Sequence, residues 1–324
     1  MKTKRFALLV CLLAAVASLC LGAAAISPGD LLRAILSGPG TTAGRIFYYV
    51  RLPRTAGCLL AGAALSVAGC VIQRVLANPL ASPNIIGVNA GAGLAVTICC
   101  ALGWLSGWTI AAAAFGGAFA AVALVSCTAR LVGASRSTVI LAGVAVNATL
   151  GAISDTVTNL IPDATLLSGD FRVGGFGSVV TARLIPAGIL IFLALGAVLL
   201  LCNELEVLSL GADTARSLGL NAGRMRTVFL ALAAVLCGAA VSFGGLLGFV
   251  GLIVPHAVRR IAGSECRRLL PLSALWGAAF VTVCDLFSRL VFRPRELPVG
   301  ILLSALGGPF FLYILWLRRR GAEC

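Results

Sequence analysis

The sequence predicts an all-α integral membrane protein of about ten membrane-crossing helices, and three observations predict it. The first is composition: the 324 residues are 60% hydrophobic and only 11% charged, with a mean hydropathy of +1.06. A soluble domain is about 45–50% apolar with glycine included and roughly 25% charged. A soluble globule of this length could not cover its surface with so few charges. That excludes a cytosolic enzyme, a nucleic-acid-binding domain and a disordered chain. The second is a series of uncharged apolar runs, most of them long enough to cross a hydrocarbon core of about 30 Å. The third is the placement of the basic residues, which fall mainly on one side when the runs are threaded back and forth.

The first run, 6–26, follows the basic stretch Met1–Arg5. It is longer than the roughly 7–15-residue core of a signal peptide. A retained helix is therefore expected, with cleavage near Ala23-Ala24-Ala25 as the alternative. The outer segment 27–53 opens with Ser27-Pro28-Gly29-Asp30, a start signal for a short amphipathic helix. Further runs lie near 55–76, 85–105, 109–130, 137–160, 184–202, 227–246, 247–262, 269–291 and 299–317. The run 247–262 is short and set off by Gly244, Gly245 and Gly248. It is expected to be a broken or partly submerged helix, a form tolerated where protein buries it. No soluble domain or low-complexity linker interrupts the chain, so 1–324 reads as one transmembrane domain. Arg54-Thr55 and Arg226-Thr227 open the second and seventh runs from opposite sides. This faint echo is what an inverted repeat of spans 2–5 and 7–10 would leave.

Ten spans put both termini on one side. With the N-terminus inside, 16 of the 25 basic residues fall on inner segments, so both termini are expected in the cytoplasm. The net charge of +14 then marks a membrane face rather than a nucleic-acid surface. The outer basic residues cluster: Arg45, Arg51 and Arg54 in one segment, Arg289, Arg293 and Arg295 in another, with Arg33 nearby. Positive charge where it is normally avoided points to a function. Of the 12 cysteines, ten lie in or beside apolar runs and none forms a CxxC pair, which fits packing as small hydrophobes. Small residues at spacing four, such as Gly62, Ser66 and Cys70 or Gly87 and Gly91, predict close helix contacts.

Polar residues inside the runs are the most telling, because a charge at membrane depth costs at least about 2.5–3.5 kcal/mol on insertion scales. Asn147, Ser154, Asp155 and Thr158 share one face of the fifth span, which either lines a polar pathway or packs against another helix. Asp285 and Arg289 form an i, i+4 pair in the ninth. That is a local ion pair, a placement that carries Arg289 to the outer surface, or both. His256, the only histidine, follows Pro255 and reads as a packed residue. No GxSxG, HExxH or GxxxxGK[ST] string is present. If ATP drives this protein, another chain must bind it.

Seven strings occur in order between about residue 45 and 320. They are Arg51-Leu52-Pro53-Arg54; Asn78-Pro79-Leu80-Ala81-Ser82-Pro83 with Gly87-Val88; Leu141-Ala142-Gly143-Val144-Ala145; Ser217-Leu218-Gly219; Gly248-Phe249-Val250-Gly251-Leu252-Ile253-Val254-Pro255-His256; Glu296-Leu297-Pro298-Val299-Gly300; and Gly308-Pro309-Phe310-Phe311. Together they resemble the FecCD-type permease subunits of ABC importers for iron-siderophores, heme and vitamin B12. The resemblance implies a type II importer fold like that of the vitamin B12 importer permease, with ten spans per subunit. It implies a permease homodimer, or pseudo-dimer, around a central pathway in a bacterial or archaeal cell (inner) membrane. Two cytoplasmic ABC ATPase subunits and an extracytoplasmic substrate-binding protein are the implied partners. The implied mechanism is alternating access driven by ATP. The chain itself is expected to be no enzyme and to bind no cofactor or metal, ATP and Mg belonging to the ATPase.

The resemblance also assigns residues. Asp213, Thr214, Ala215, Arg216, Ser217, Leu218 and Gly219 match the coupling helix that sits in the ATPase cleft. The residues fit that role: Glu204, Glu206, Asp213 and Arg216 make this the most charged inner loop, and Gly219 can stop a short helix at positive φ. Asp213 stands where related importers often have Glu. Arg51, Arg54 and Arg289 match arginines that pair with glutamates of the binding protein, with Arg293 and Arg295 as additions here. Asn78, Leu80, Ser137 and Thr138 match the cytoplasmic gate. Iron-siderophore is the leading substrate class, and heme and vitamin B12 are the alternatives. A more distant alternative is an ion-coupled secondary transporter with Asp155 or Asp285 as the carrier.

Overall fold

A computed structural model describes residues 2–22, 28–132, 136–291 and 295–321, and every regular element among them is helical. In chain order the α-helices are α1 (Lys2–Cys20), α2 (Pro28–Ser37), α3 (Thr42–Ile46), α4 (Leu52–Val75), α5 (Val88–Ala101), α6 (Gly107–Leu131), α7 (Arg136–Leu160), α8 (Pro162–Val173), α9 (Thr181–Leu200), α10 (Cys202–Ser209), α11 (Ala212–Ser217), α12 (Ala222–Gly244), α13 (Val250–Ala262), α14 (Cys266–Val291) and α15 (Val299–Gly321). Among these, α1, the α3–α4 run, α6, α7, α9, α12 and α14 are long and apolar enough to cross a membrane.

Of the other three expected spans, α5 and α13 are short helices of 14 and 13 residues, and the third is α15, Val299–Gly321. The run 85–105 contracts to the 14 residues of α5 because Pro83–Ile86 winds as a 3-10 turn and the chain turns again at Leu102 and Gly103. The expected break after the seventh span is present: α12 stops at Gly244 and α13 is only 13 residues long. Between them Phe249 holds φ +64, a left-handed conformation that costs a bulky residue on the order of 1 kcal/mol or more. Its ring lies against Gly307 of α15, where any side chain would collide. The amphipathic helix expected after Ser27 is α2. Helix α8 was not foreseen, although Pro162 at its first turn and Asp163 beside it are ordinary start signals.

Helix α4 is the centre of the bundle. In the α3–α4 run 78% of the apolar window is buried, against 17% for α1, so α4 packs on protein and α1 presents most of its surface outward. Three interfaces depend on missing side chains. A Cβ on Gly62 would strike the Gly277 carbonyl of α14, one on Gly69 the Gly251 carbonyl of α13, and one on Gly91 the Gly117 carbonyl of α6. Backbones at this separation gain dispersion contacts that larger residues forbid. The stripe Gly62, Ser66, Cys70 meets α14 as a set: Ser66 Oγ donates to the Ser273 carbonyl at 2.7 Å, and Cys70 Sγ lies 3.2 Å from Ser273 Oγ. Cys58, Cys70 and Cys237 are fully buried, and all eleven described cysteines are unpaired.

The Gly69–Gly251 contact should tolerate nothing larger. Gly69→Ala is expected to cost about 1–3 kcal/mol through overpacking and to lower the melting temperature in detergent. Gly69→Leu is expected to remove the monodisperse peak in size-exclusion chromatography. A leucine variant that elutes and melts like the parent would disprove the close approach.

Candidate functional site

The chain carries polar machinery at both ends of α4. At the N-terminal end a turn of π-helix, Phe47–Arg51, runs into α4 and sets the position of Arg51. Such turns are rare and cluster at functional places. Arg51 Nη1 donates to the carbonyls of Leu19 and Cys20 at 2.8 and 2.7 Å. It therefore satisfies carbonyls that the end of α1 leaves open and sits at the negative pole of that helix. One turn on, Arg54 clasps Asp285 of α14, with Nε 3.1 Å from both carboxylate oxygens and Nη2 3.0 Å from Oδ1. Its Nη1 donates to Glu296 at 2.6 Å. Arg289 approaches the same carboxylate at 3.0 Å and donates to Ser18 Oγ of α1 at 2.8 Å. Ser18 also bonds Thr55.

Asp285 is 0% exposed, and Arg51, Arg54 and Arg289 are 3%, 7% and 3% exposed. The expected outward arginine patch is therefore an internal knot. The reason is electrostatic: a carboxylate at this depth is tolerated only when paired, and it draws Arg54 and Arg289 inward to do so. The local Asp285–Arg289 pair is present, and its charge turns into the bundle instead of outward. A carboxylate closed in by two guanidiniums is also poorly placed to pick up and release an ion, which weighs against Asp285 as a carrier. Arg295 remains exposed, and Arg293 lies outside the described residues.

Beside the knot, three irregular segments brace one another. Gly175 N donates to the Gly244 carbonyl, Leu246 N to Phe171, and Gly300 N to Gly174. Gly174 holds φ +76 with Leu246 and Gly300 pressed on it, space that a side chain would fill. This junction explains the Glu296–Gly300 string: Glu296 meets Arg54, and Gly300 sits against the end of α8. A 260 Å³ cavity opens there between Arg54, Asp170, Phe176, Glu296 and Pro298.

The polar face of α7 divides. Asn147 donates to the Asn84 carbonyl at 2.7 Å, and Gly143 lies against the Ile85 carbonyl, so this stretch packs on the turn Pro83–Ile86. Ser154 is buried, receiving Arg172 Nη2 at 2.6 Å and lying 3.3 Å from Thr97. Asp155 is exposed and 4.0 Å from Arg172, while Thr158 donates to the Asp155 carbonyl. Asn147 and Ser154 are thus packing groups, whereas Asp155 is exposed and Thr158 half-buried.

At the opposite end, α10 and α11 form a helical ledge. Ala215 is buried beneath it, whereas Asp213, Arg216 and Leu218 project. The ledge ends as expected. Gly219 takes φ +80, its N–H bonds the Arg216 carbonyl, and Leu220 N bonds Ala215, the paired closure of a Schellman motif. Ser217 Oγ donates to the Thr214 carbonyl. Glu206 joins the ledge to the bundle: it accepts the Cys266 N–H at the start of α14 at 2.7 Å and faces Arg74 of α4 at 3.5 Å. Partial burial alone would raise this carboxyl; the Cys266 backbone bond and Arg74 outweigh that and hold it below the usual glutamate range. Arg136 of α7 donates to the Leu208 carbonyl of α10. Ser137 and Thr138 occupy that same first turn of α7. Asn78 and Leu80 lie on the loop after α4, where Asn78 Oδ1 accepts Leu80 N at 3.0 Å. The sequence marks Glu206 only as one charge of the inner loop and gives no sign of its partners or of Arg136's, which lie far away in the chain.

A bundle of close-packed apolar helices, broken where protein buries the break, defines a polytopic membrane protein. The sequence matches the FecCD transport family over residues 9–317, and the chain belongs to that family. It is 35% identical over 281 residues to the hemin transport system permease protein HmuU of Yersinia pestis, covering 85% of this chain and 84% of that one. It is 35% identical over 301 residues to the Fe(3+)-citrate import system permease protein YfmD of Bacillus subtilis, covering 92% and 89%. A solved metal-chelate type ABC transporter in an inward-facing conformation superposes with a TM-score of 0.85 at 26% identity, covering 97% of this chain and 99% of that one.

Two outcomes follow. Asp285→Ala leaves buried guanidiniums uncompensated and is expected to cost about 3–5 kcal/mol, read as a large fall in melting temperature. Replacing the pair together, Arg54→Met with Asp285→Leu, should recover part of it; a single variant as stable as the parent would refute the knot. Glu206 contributes stability above its unfolded pKa of about 4.3, lost as pH falls through its lower folded value. The melting-temperature gap between the parent and Glu206→Gln should therefore be open at neutral pH and close below about pH 4; a gap unchanged by pH would discount the clamp.

Proposed function

We propose that this chain is the permease subunit of an ATP-driven importer for a metal chelate. The observation that carries the reading is whole-chain similarity to permeases whose named cargoes are hemin and ferric citrate and to a metal-chelate transporter structure. Iron-siderophore is the leading cargo, with heme and vitamin B12 as alternatives. Two copies flank the pathway, with Asp155 and Thr158 of α7 toward it. A substrate-binding protein docks over the Glu296–Gly300 segment with exposed Arg295 at its rim, and Arg51, Arg54 and Arg289 shape that surface from beneath.

Two ABC ATPase subunits, which hold ATP and Mg, dock on α11. The ledge suits this role. Leu218 is an apolar side chain 63% exposed at its tip, and such a group at a charged surface is suited to a partner's cleft. Glu206, Arg74 and Arg136 then convey its displacement to α14, α4 and α7. Through α7 the motion reaches Ser137 and Thr138, which together with Asn78 and Leu80 make up the cytoplasmic gate. Alternating access follows if the gate opens only when the outer end closes.

The test is reconstitution in proteoliposomes with the ATPase subunits and the binding protein. Uptake of a ferric siderophore, hemin or cobalamin should require ATP and be blocked by vanadate. Leu218→Asp should retain the parent melting temperature and lose ATPase co-purification and at least about tenfold in uptake, an interface hot-spot effect. Uptake that persists without the ATPase subunits, or that an ionophore abolishes while vanadate does not, would overturn the assignment.

A further inference from the structure

Away from both sites, α6 and α12 enclose a furrow between them. It consists of two adjoining hollows of 230 and 260 Å³ that share Ser126, Arg130 and Thr227. The first is walled by Phe119, Val122, Ala123, Ala231 and Ala234. The second is rimmed by Arg130, Arg224 and Arg226. Arg130 donates to Thr227 Oγ1 where the hollows meet. From Phe119 to Arg130 the furrow follows α6 for about 16 Å, at 1.5 Å per residue. It therefore runs from a cationic mouth at the α11 end into the apolar band of the bundle.

The mouth is strongly one-sided in charge. Arg136 and Arg216 lie close enough for their charge to act on Arg226. Neither 119–139 nor 222–240 contains an acidic residue. The neighbouring ledge carries three carboxylates: Glu206 is engaged by Arg74 and Cys266, Asp213 by Arg216, and Glu204 has one buried oxygen, so Arg130, Arg136, Arg224 and Arg226 still outnumber the acids near the mouth. Like charges gathered this closely repel unless an anion sits among them. An apolar furrow leading away from such a mouth fits an acyl chain, and basic pockets between helices at a membrane face hold anionic headgroups.

We infer that the furrow between α6 and α12 binds one anionic glycerophospholipid, its phosphate among Arg130, Arg224 and Arg226 and one acyl chain along Phe119, Val122 and Ala231. A soluble phosphate would satisfy only the mouth, and a zwitterionic lipid would bring its own cation to it. The lipid covers apolar surface between α6 and α12 and neutralises the arginines next to the ledge.

The experiment uses the full chain, purified in mild detergent and delipidated. Native mass spectrometry and melting temperature are followed during titration with phosphatidylglycerol, phosphatidylcholine or inorganic phosphate. Phosphatidylglycerol should bind at one preferred site and raise the melting temperature; the other two should not. The double variant Arg224→Gln/Arg226→Gln should weaken that binding at least about tenfold, the loss expected from two basic groups near a headgroup. Ala231→Leu, which narrows the furrow and leaves every charge in place, should weaken it as well and covers the case in which the double variant does not fold. Equal binding of the two lipids, an equal shift with inorganic phosphate, or full phosphatidylglycerol binding by Ala231→Leu would each overturn the proposal. So would a double variant that keeps the lipid and loses only the ATPase.

Discussion

The buried carboxylate of Asp285 organises one whole end of the molecule. An ionised group without water must find compensating charge and hydrogen bonds within the protein. Here Arg54 and Arg289 supply both, and Glu296 balances the second cation. Each arginine then ties a further element. Arg289 reaches Ser18 at the end of α1, and Arg54 carries Glu296 and with it the approach to α15. Arg51, one turn earlier in α4, closes the carbonyls of α1. Four segments far apart in the chain are thereby fixed relative to one another at this end, over and above the close packing of α4 on α14. Apolar contact could not do this alone, because lipid solvates an apolar helix face about as well as another helix does.

The same constraint governs the breaks. Each interruption of a helix frees backbone groups, and inside a bilayer those groups need partners from the protein. The gap between α12 and α13 is met by the end of α8, which also receives the start of α15. Glycines at these junctions permit the carbonyls to approach, and Phe249 holds an unfavourable backbone conformation while its ring lies against Gly307. Three chain breaks are in this way one structural unit, located beside the ion knot and beneath the surface proposed for the binding protein.

At the far end of α4 the ledge is held to three helices. Glu206 ties the ledge to α14 and α4, Arg74 adds a bond to Ser209, Arg136 ties it to α7, and Leu205 and Leu208 are buried beneath it.

The apolar runs alone determined that the chain is a membrane-embedded helix bundle, because hydrocarbon thickness sets a length that sequence displays directly. The run at 247–262 announced its break through its glycines, and Gly219 announced the end of α11, since both are local backbone preferences. The stripe Gly62, Ser66, Cys70 correctly marked a helix interface. Which helix it meets, and where charges point, only the tertiary structure decided. Arg51, Arg54 and Arg289 read as outer cations because they lie at the outer ends of apolar runs, yet each finds a partner on another helix. Asp285 is 231 residues from Arg54. Pairing at such separation leaves no periodicity in the sequence: it depends on which ends of which helices meet once the bundle has closed.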